Sequence, residues 1–100
     1  MKISFDPAKR AKTSADRGID FADAVEVFDG PTVDLQDERK DYGETRIVTA
    51  GSLRGRMVIV VWTPRGDTRH IITAWKVGED GKRRYEALFA KRHRSDEGEG

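Results

Sequence analysis

Apolar residues recur along this chain with two periods, and the change between them marks its organisation. In Lys2 to Phe5, Ile3 and Phe5 alternate with polar neighbours and predict a short strand. Asp6-Pro7 then reads as a helix start, since Asp is a good N-cap and Pro is tolerated at the first helical position. This helix is expected over Pro7 to about Asp16, on a thin apolar face of Ala8, Ala11 and Ala15, with Gly18 as a left-handed C-cap. A second helix is predicted behind Asp20, because Phe21, Ala24, Val25 and Phe28 fall at i, i+3, i+4 and i+7; Asp29-Gly30-Pro31 stops it. Residues 32–45 carry many charges and few apolar side chains, so they read as a long loop pinned by Val33 and Leu35.

From residue 46 the period becomes two. Arg46 to Leu53 predicts a strand, Arg54-Gly55 a tight hairpin, and Arg56 to Thr63 a central strand that is apolar on both faces. Pro64-Arg65-Gly66-Asp67 reads as a turn before a third strand, Thr68 to Val77. After Gly78 to Gly81, a last helix is expected over Lys82 to about Arg92, with Tyr85, Leu88 and Phe89 inward. The order is strand, two helices, a three-stranded antiparallel meander and a C-terminal helix. That is one α+β domain over residues 1–93, with 94–100 as a disordered acidic tail. The expected core is Phe5, Phe21, Val25, Phe28, Ile59, Val61, Ile71, Leu88 and Phe89. The helices would cover one sheet face, leaving the other face or the rim to the basic residues.

Composition narrows the chemistry. The 100 residues contain no cysteine, so disulfides, cysteine-zinc sites and thiol nucleophiles are excluded. Two histidines rule out a multi-histidine metal site. The N-terminal MKISFDPAKR has no apolar signal region, and the apolar run Met57 to Trp62 is too short to cross a bilayer, so a cytoplasmic protein without a membrane partner is expected. The net charge of +1 conceals an asymmetry: residues 1–45 hold seven Lys/Arg against eleven Asp/Glu, whereas residues 46–77 hold six against one. Such a division suits a polyanion on one side and a different partner on the other.

Four groups of residues are candidates for function. Arg54, Arg56, Arg65, Arg69, His70 and Lys76 cluster on the meander, where guanidinium groups held by turns could bind phosphate bidentately. His70 is the only histidine inside predicted regular structure and has an ordinary pKa near 6.5, suited to proton transfer. Trp62, Trp75 and Tyr42 could stack bases or fill the core. Regular alternation in the last strand puts Arg69, Ile71, Thr73, Trp75 and Val77 on one face, and His70, Ile72, Ala74 and Lys76 on the other. The acidic stretch Asp34, Asp37, Glu38, Asp41 and Glu44 matches no calcium loop and reads as a solvated loop or a contact for a basic protein.

Several segments together resemble the BrnT family of bacterial toxins: FDPAK (Phe5 to Lys9), RGIDFADAVEVFDGP (Arg17 to Pro31), DYGETR (Asp41 to Arg46), GxLxGR (Gly51 to Arg56), VWTPRGDTRHIITAWKV (Val61 to Val77) and RRYE (Arg83 to Glu86). The resemblance implies a RelE-like ribonuclease that blocks translation and is neutralised by a cognate BrnA-like antitoxin. The antitoxin, not the toxin, would bind operator DNA, in a complex with two copies of each partner. No cofactor or metal is implied. Arg46, Arg56 and Arg65 match the family pattern. Asp16-Arg17-Gly18 departs from its Lys-His-Gly, Thr13 from its asparagine, and His70 to Trp75 from its Arg-Ile-Ile-Ser-Ala-Arg, so His70 is a local candidate. For a metal-independent ribonuclease, the expected assignment is Arg46 and Arg69 on the scissile phosphate, His70 or Lys76 for proton transfer, and Arg54, Arg56 and Arg65 along the RNA backbone. The alternative is an inactive relative that binds RNA or antitoxin without cleavage.

Overall fold

The computed structural model describes residues 2–37 and 43–98, with side chains in the last helix described up to residue 87 and at Ala90. Strand β1 (Lys2–Phe5) leads into helix α1 (Pro7–Arg17). Asp6 Oδ1 accepts from Ala8 N at 2.9 Å, Pro7 opens the helix, and Gly18 (φ 66°) closes it by donating its N–H to Ser14 O. A 3₁₀ turn (Phe21–Asp23) runs into α2 (Ala24–Asp29). Asp20 accepts from Ala22 N and also holds Arg10 bidentately at 2.7 and 2.9 Å. These contacts, led by the Arg10 hydrogen bond, lower the Asp20 carboxyl to a pKa of about 2.

The tighter 3₁₀ winding alters which residues point inward. Phe21, Ala24, Val27 and Phe28 are buried, and Val25, expected in the core, is only partly so. Segment 32–45 also departs from the expected loop. Val33–Gln36 forms strand β2, pairing antiparallel with β3 (Ile47–Leu53). Propensity hides this strand, since Asp34 and Gln36 are poor strand formers, but a hydrogen-bond relay secures it. The buried Trp62 Nε1 donates to Thr49 Oγ1 at 2.8 Å, and Thr49 Oγ1 donates to Asp34 Oδ1 at 2.6 Å. Glu38, Asp41 and Tyr42 lie outside the described residues.

The remaining strands are β4 (Arg56–Arg65) and β5 (Thr68–Lys76). The three-stranded meander is thus the centre of a five-stranded mixed sheet of order β1-β5-β4-β3-β2, in which β1 is parallel to β5. Arg54 and Gly55, at φ 51° and 82°, form the two-residue turn between β3 and β4. β4 continues two residues past the expected Thr63. Pro64 is tolerated because it lies beyond Trp62, the last β4 residue paired with β3.

Both faces of the sheet are apolar. On the first face, Val58, Val60, Trp62, Ile71, Ala74 and Leu53 pack with Ile19, Phe21, Val27 and Phe28; Phe5 packs partly buried against them. On the second face, Ala50, Ile59, Val61 and Val77 are buried among Leu35, Val48, Ile72, Trp75 and Tyr85. Tyr85 belongs to α3 (Glu79–Gly98), which begins three residues before the expected Lys82. The second face is therefore not a bare basic surface, and the cations sit at the sheet's ends. Of the expected core, Phe21, Phe28, Ile59, Val61 and Ile71 are buried. The side chains of Leu88 and Phe89 lie outside the description.

Where α2 crosses β3, a Cβ on Gly51 would come within 2.6 Å of Val27 Cγ1 and 3.1 Å of Thr32 Cγ2. Val27 is buried and β-branched, so it cannot move aside cheaply. Gly51→Ala is expected to lower unfolding stability by about 1–3 kcal/mol, measured by urea denaturation. An unchanged midpoint would show that the contact is not close.

Candidate functional site

The geometry of β5 decides which candidates share a surface. Val61 pairs with Thr73 but Trp62 pairs with Ile71, so Ile72 has no partner and forms a β-bulge. The extra residue breaks the simple alternation. Arg69 and Ile71 lie on the first face before it, and Ala74 and Lys76 lie on that same face after it. His70, Ile72 and Trp75 occupy the second face. Trp75 therefore shares His70's face, contrary to regular alternation. Arg69 and His70 both precede the bulge and remain on opposite faces.

One group forms where β4 ends and β5 begins. Ser4 pairs with His70, and His70 with Thr63. Arg46 stands one position before the Ile47–Trp62 pair, which extends this row across the sheet. Ser4 Oγ lies 2.8 Å from His70 Nδ1. Arg65, two residues beyond Thr63, is exposed and 3.8 Å from Glu44. Arg46 is half-buried with its Nε sealed from solvent, and its carbonyl accepts from Asp37 N at 2.8 Å. Burial, reinforced by the nearby Arg65 charge, lowers the His70 pKa below its usual value. Burial thus favours the neutral imidazole, the form able to accept a proton.

The other candidates do not join this group. The Arg69 guanidinium lies on the first face, 4.5 Å from the Phe28 ring centroid and 4.6 Å from that of Trp62. Those rings are in edge contact at 5.8 Å, so Arg69 caps an aromatic pair. Arg54, Arg56 and Lys76 lie at the other end of the sheet. The ten residues of β4 put roughly 30 Å between its ends. Lys76 stands six residues from His70 along β5, roughly 20 Å away and on the opposite face, too far to share proton transfer at one phosphate. The seven predicted site residues divide into three groups: Arg46, Arg65 and His70 together; Arg69 on the aromatics; Arg54, Arg56 and Lys76 at the far end.

Neither Trp62 nor Trp75 is an open stacking platform: Trp62 is buried, and Trp75 is half-buried beneath Arg17, whose guanidinium lies 5.8 Å from its ring. Arg17 Nη1 also lies 3.4 Å from Thr73 Oγ1 and Ala74 O, on the β5 edge past the last β1 pairing at Phe5–Ile71. In the acidic stretch, Asp34 accepts from Thr49 and Glu44 faces Arg65. No group of three potential metal ligands occurs among the described residues. Ser4 was missed by sequence reasoning, because a parallel pairing across 66 residues leaves no local signal.

Comparison with known families places the protein among the toxins of type II toxin–antitoxin systems. The profile of the family described as "Ribonuclease toxin, BrnT, of type II toxin-antitoxin system" matches residues 5–80, and the chain belongs to that family. No curated protein matches the sequence. Among the described residues, no helix is long and apolar enough to cross a membrane.

Arg69→Ala is expected to lower stability by about 1–2 kcal/mol, from loss of the cation–π contacts, while RNA binding is retained. Thermal unfolding beside an RNA-binding titration checks this. Lost binding at unchanged stability would return Arg69 to the RNA surface.

Proposed function

We propose that this protein is a metal-independent endoribonuclease whose reaction centre is the row Ser4, His70, Thr63 and Arg46, completed by Arg65. The observation that carries the reading is a neutral-leaning histidine on the same face and the same end of the sheet as two arginines. Arg46 and Arg65 bind the non-bridging oxygens of the scissile phosphate, where charge accumulates in the transition state. With Nδ1–H donating to Ser4 Oγ, the His70 Nε2 lone pair takes the proton of the RNA 2′-hydroxyl. The 2′-oxygen bonds to phosphorus, the bond to the 5′-oxygen breaks, and that oxygen takes a proton from water. The products are a 2′,3′-cyclic phosphate and a 5′-hydroxyl.

Cleavage of cellular RNA would block translation in the cytoplasm. A cognate BrnA-like antitoxin would neutralise the toxin in a complex of two copies of each, with operator DNA bound only through the antitoxin. One observation favours the inactive alternative: Arg17, standing where the family carries histidine, is occupied on the β5 edge.

Labelled single-stranded RNA incubated with the purified protein in EDTA is expected to be cleaved. His70→Ala should lower the rate by about 10²–10⁴-fold and Arg46→Ala by about 10²–10³-fold, both variants remaining folded. No cleavage by the wild type in EDTA, or undiminished cleavage by His70→Ala, would overturn the assignment. Because the His70 pKa is lowered, its base form persists as pH falls below 6.5, so the acid limb of kcat/KM should lie below that value. An acid limb above 6.5 would assign the titration to another group. Ser4→Ala should reduce kcat more than KM, and Ser4→Thr, which keeps the hydroxyl, should restore it.

A further inference from the structure

At the end of the sheet remote from His70, a notch of about 160 Å³ opens between the end of α1 and the β3–β4 hairpin. Its inner wall is apolar, formed by the buried Ile19, Leu53 and Val58. Its rim is cationic. The hairpin residue Arg54 is already committed, with Nη2 at 3.2 Å from Glu26 and 3.6 Å from Asp23. That clamp ties the hairpin to α2 and neutralises the acidic side of the notch. Arg56 and Lys76 are different: both are exposed and neither has an ion pair among the described residues. They lie on the same face, since Lys76 pairs with Val58 and Arg56 stands two residues before it. Lys76 Nζ also lies against Gly18, where a Cβ would come within 3.5 Å.

We infer that this notch is a docking site for an acidic segment of a protein partner, which places a carboxylate on Arg56 and Lys76 and a small apolar side chain at the edge of Ile19 and Leu53. An arginine fork matches a carboxylate bidentately, and the adjacent ammonium adds a second donor. The combination of apolar wall and cationic rim favours peptide over RNA, for two reasons. The notch has no aromatic lining on which a base could stack. It also lies on the first face, while the His70 row lies on the second face at the other end, so one RNA strand would have to cross the sheet edge to occupy both. The site is thus independent of the proposed nuclease centre and free while RNA is bound.

The test is a titration of the isotope-labelled full chain with the capped peptide Glu-Glu-Leu-Glu-Glu, followed by amide chemical shifts. The expected result is movement of the Gly18, Arg56 and Lys76 amides, with binding weakened about tenfold or more in the double variant Arg56→Glu/Lys76→Glu. Both substitutions are on exposed side chains, and circular dichroism verifies that the variant is folded. A hexameric single-stranded RNA should leave these amides unmoved and should not displace the peptide. No shift with the peptide, shifts that persist in the double variant, or RNA moving the same amides would each overturn the proposal.

Discussion

The unpaired residue at Ile72 governs how this molecule distributes its chemistry. A β-strand in regular pairing assigns each side chain to a face by parity alone. The bulge cancels that parity halfway along β5, so Ile71 and Ala74, three residues apart, both enter the helix-covered core. Without it, the hydrophobic set of one half of the strand would be presented to the wrong layer. The same device puts Trp75 into the second cluster together with Ile72. Everything downstream, including the placement of Lys76 beside Gly18, follows from that single extra residue.

The elements legible in the sequence were those with local causes. Asp6-Pro7 and Gly18 delimit α1 because caps act within a few residues, and Arg54-Gly55 makes its turn from two left-handed conformations in succession. The features that escaped have non-local causes. β2 forms by pairing with β3 across the segment between them, a pairing reinforced by the hydrogen bond Asp34 accepts from Thr49, fifteen residues away. The bulge is a property of the pairing between β4 and β5, with no local marker at Ile72. The buried helical stripe moved from Val25 to Val27 because the first turn is wound as 3₁₀. Candidate residues were recognisable by type, but their grouping depended on the bulge and on strand ends. Hence Arg46, Arg65 and His70 share one face at one end of the sheet, while Arg69 is absorbed by Phe28 and Trp62.

The sheet therefore works as a separator. Its two faces are both apolar, so charge is expelled to its ends, and roughly 20–30 Å of strand keeps the two cationic groups apart. One end holds cations beside a histidine whose proton affinity is reduced by burial. The other holds cations over an apolar recess, with one of them locked to carboxylates. A small domain thereby carries two chemically distinct surfaces without their fields interfering strongly, since the separation exceeds the roughly 8–10 Å screening length at physiological salt.

The relay from Trp62 through Thr49 to Asp34 carries a further implication. The indole N–H finds its acceptor on β3, and that acceptor is oriented by a carboxylate on the outermost strand. Peeling β2 from the sheet would remove the carboxylate and alter the polarity felt by a buried indole. With Trp75 replaced by phenylalanine, the emission wavelength of Trp62 is therefore an internal optical gauge of whether the outer strand is in place.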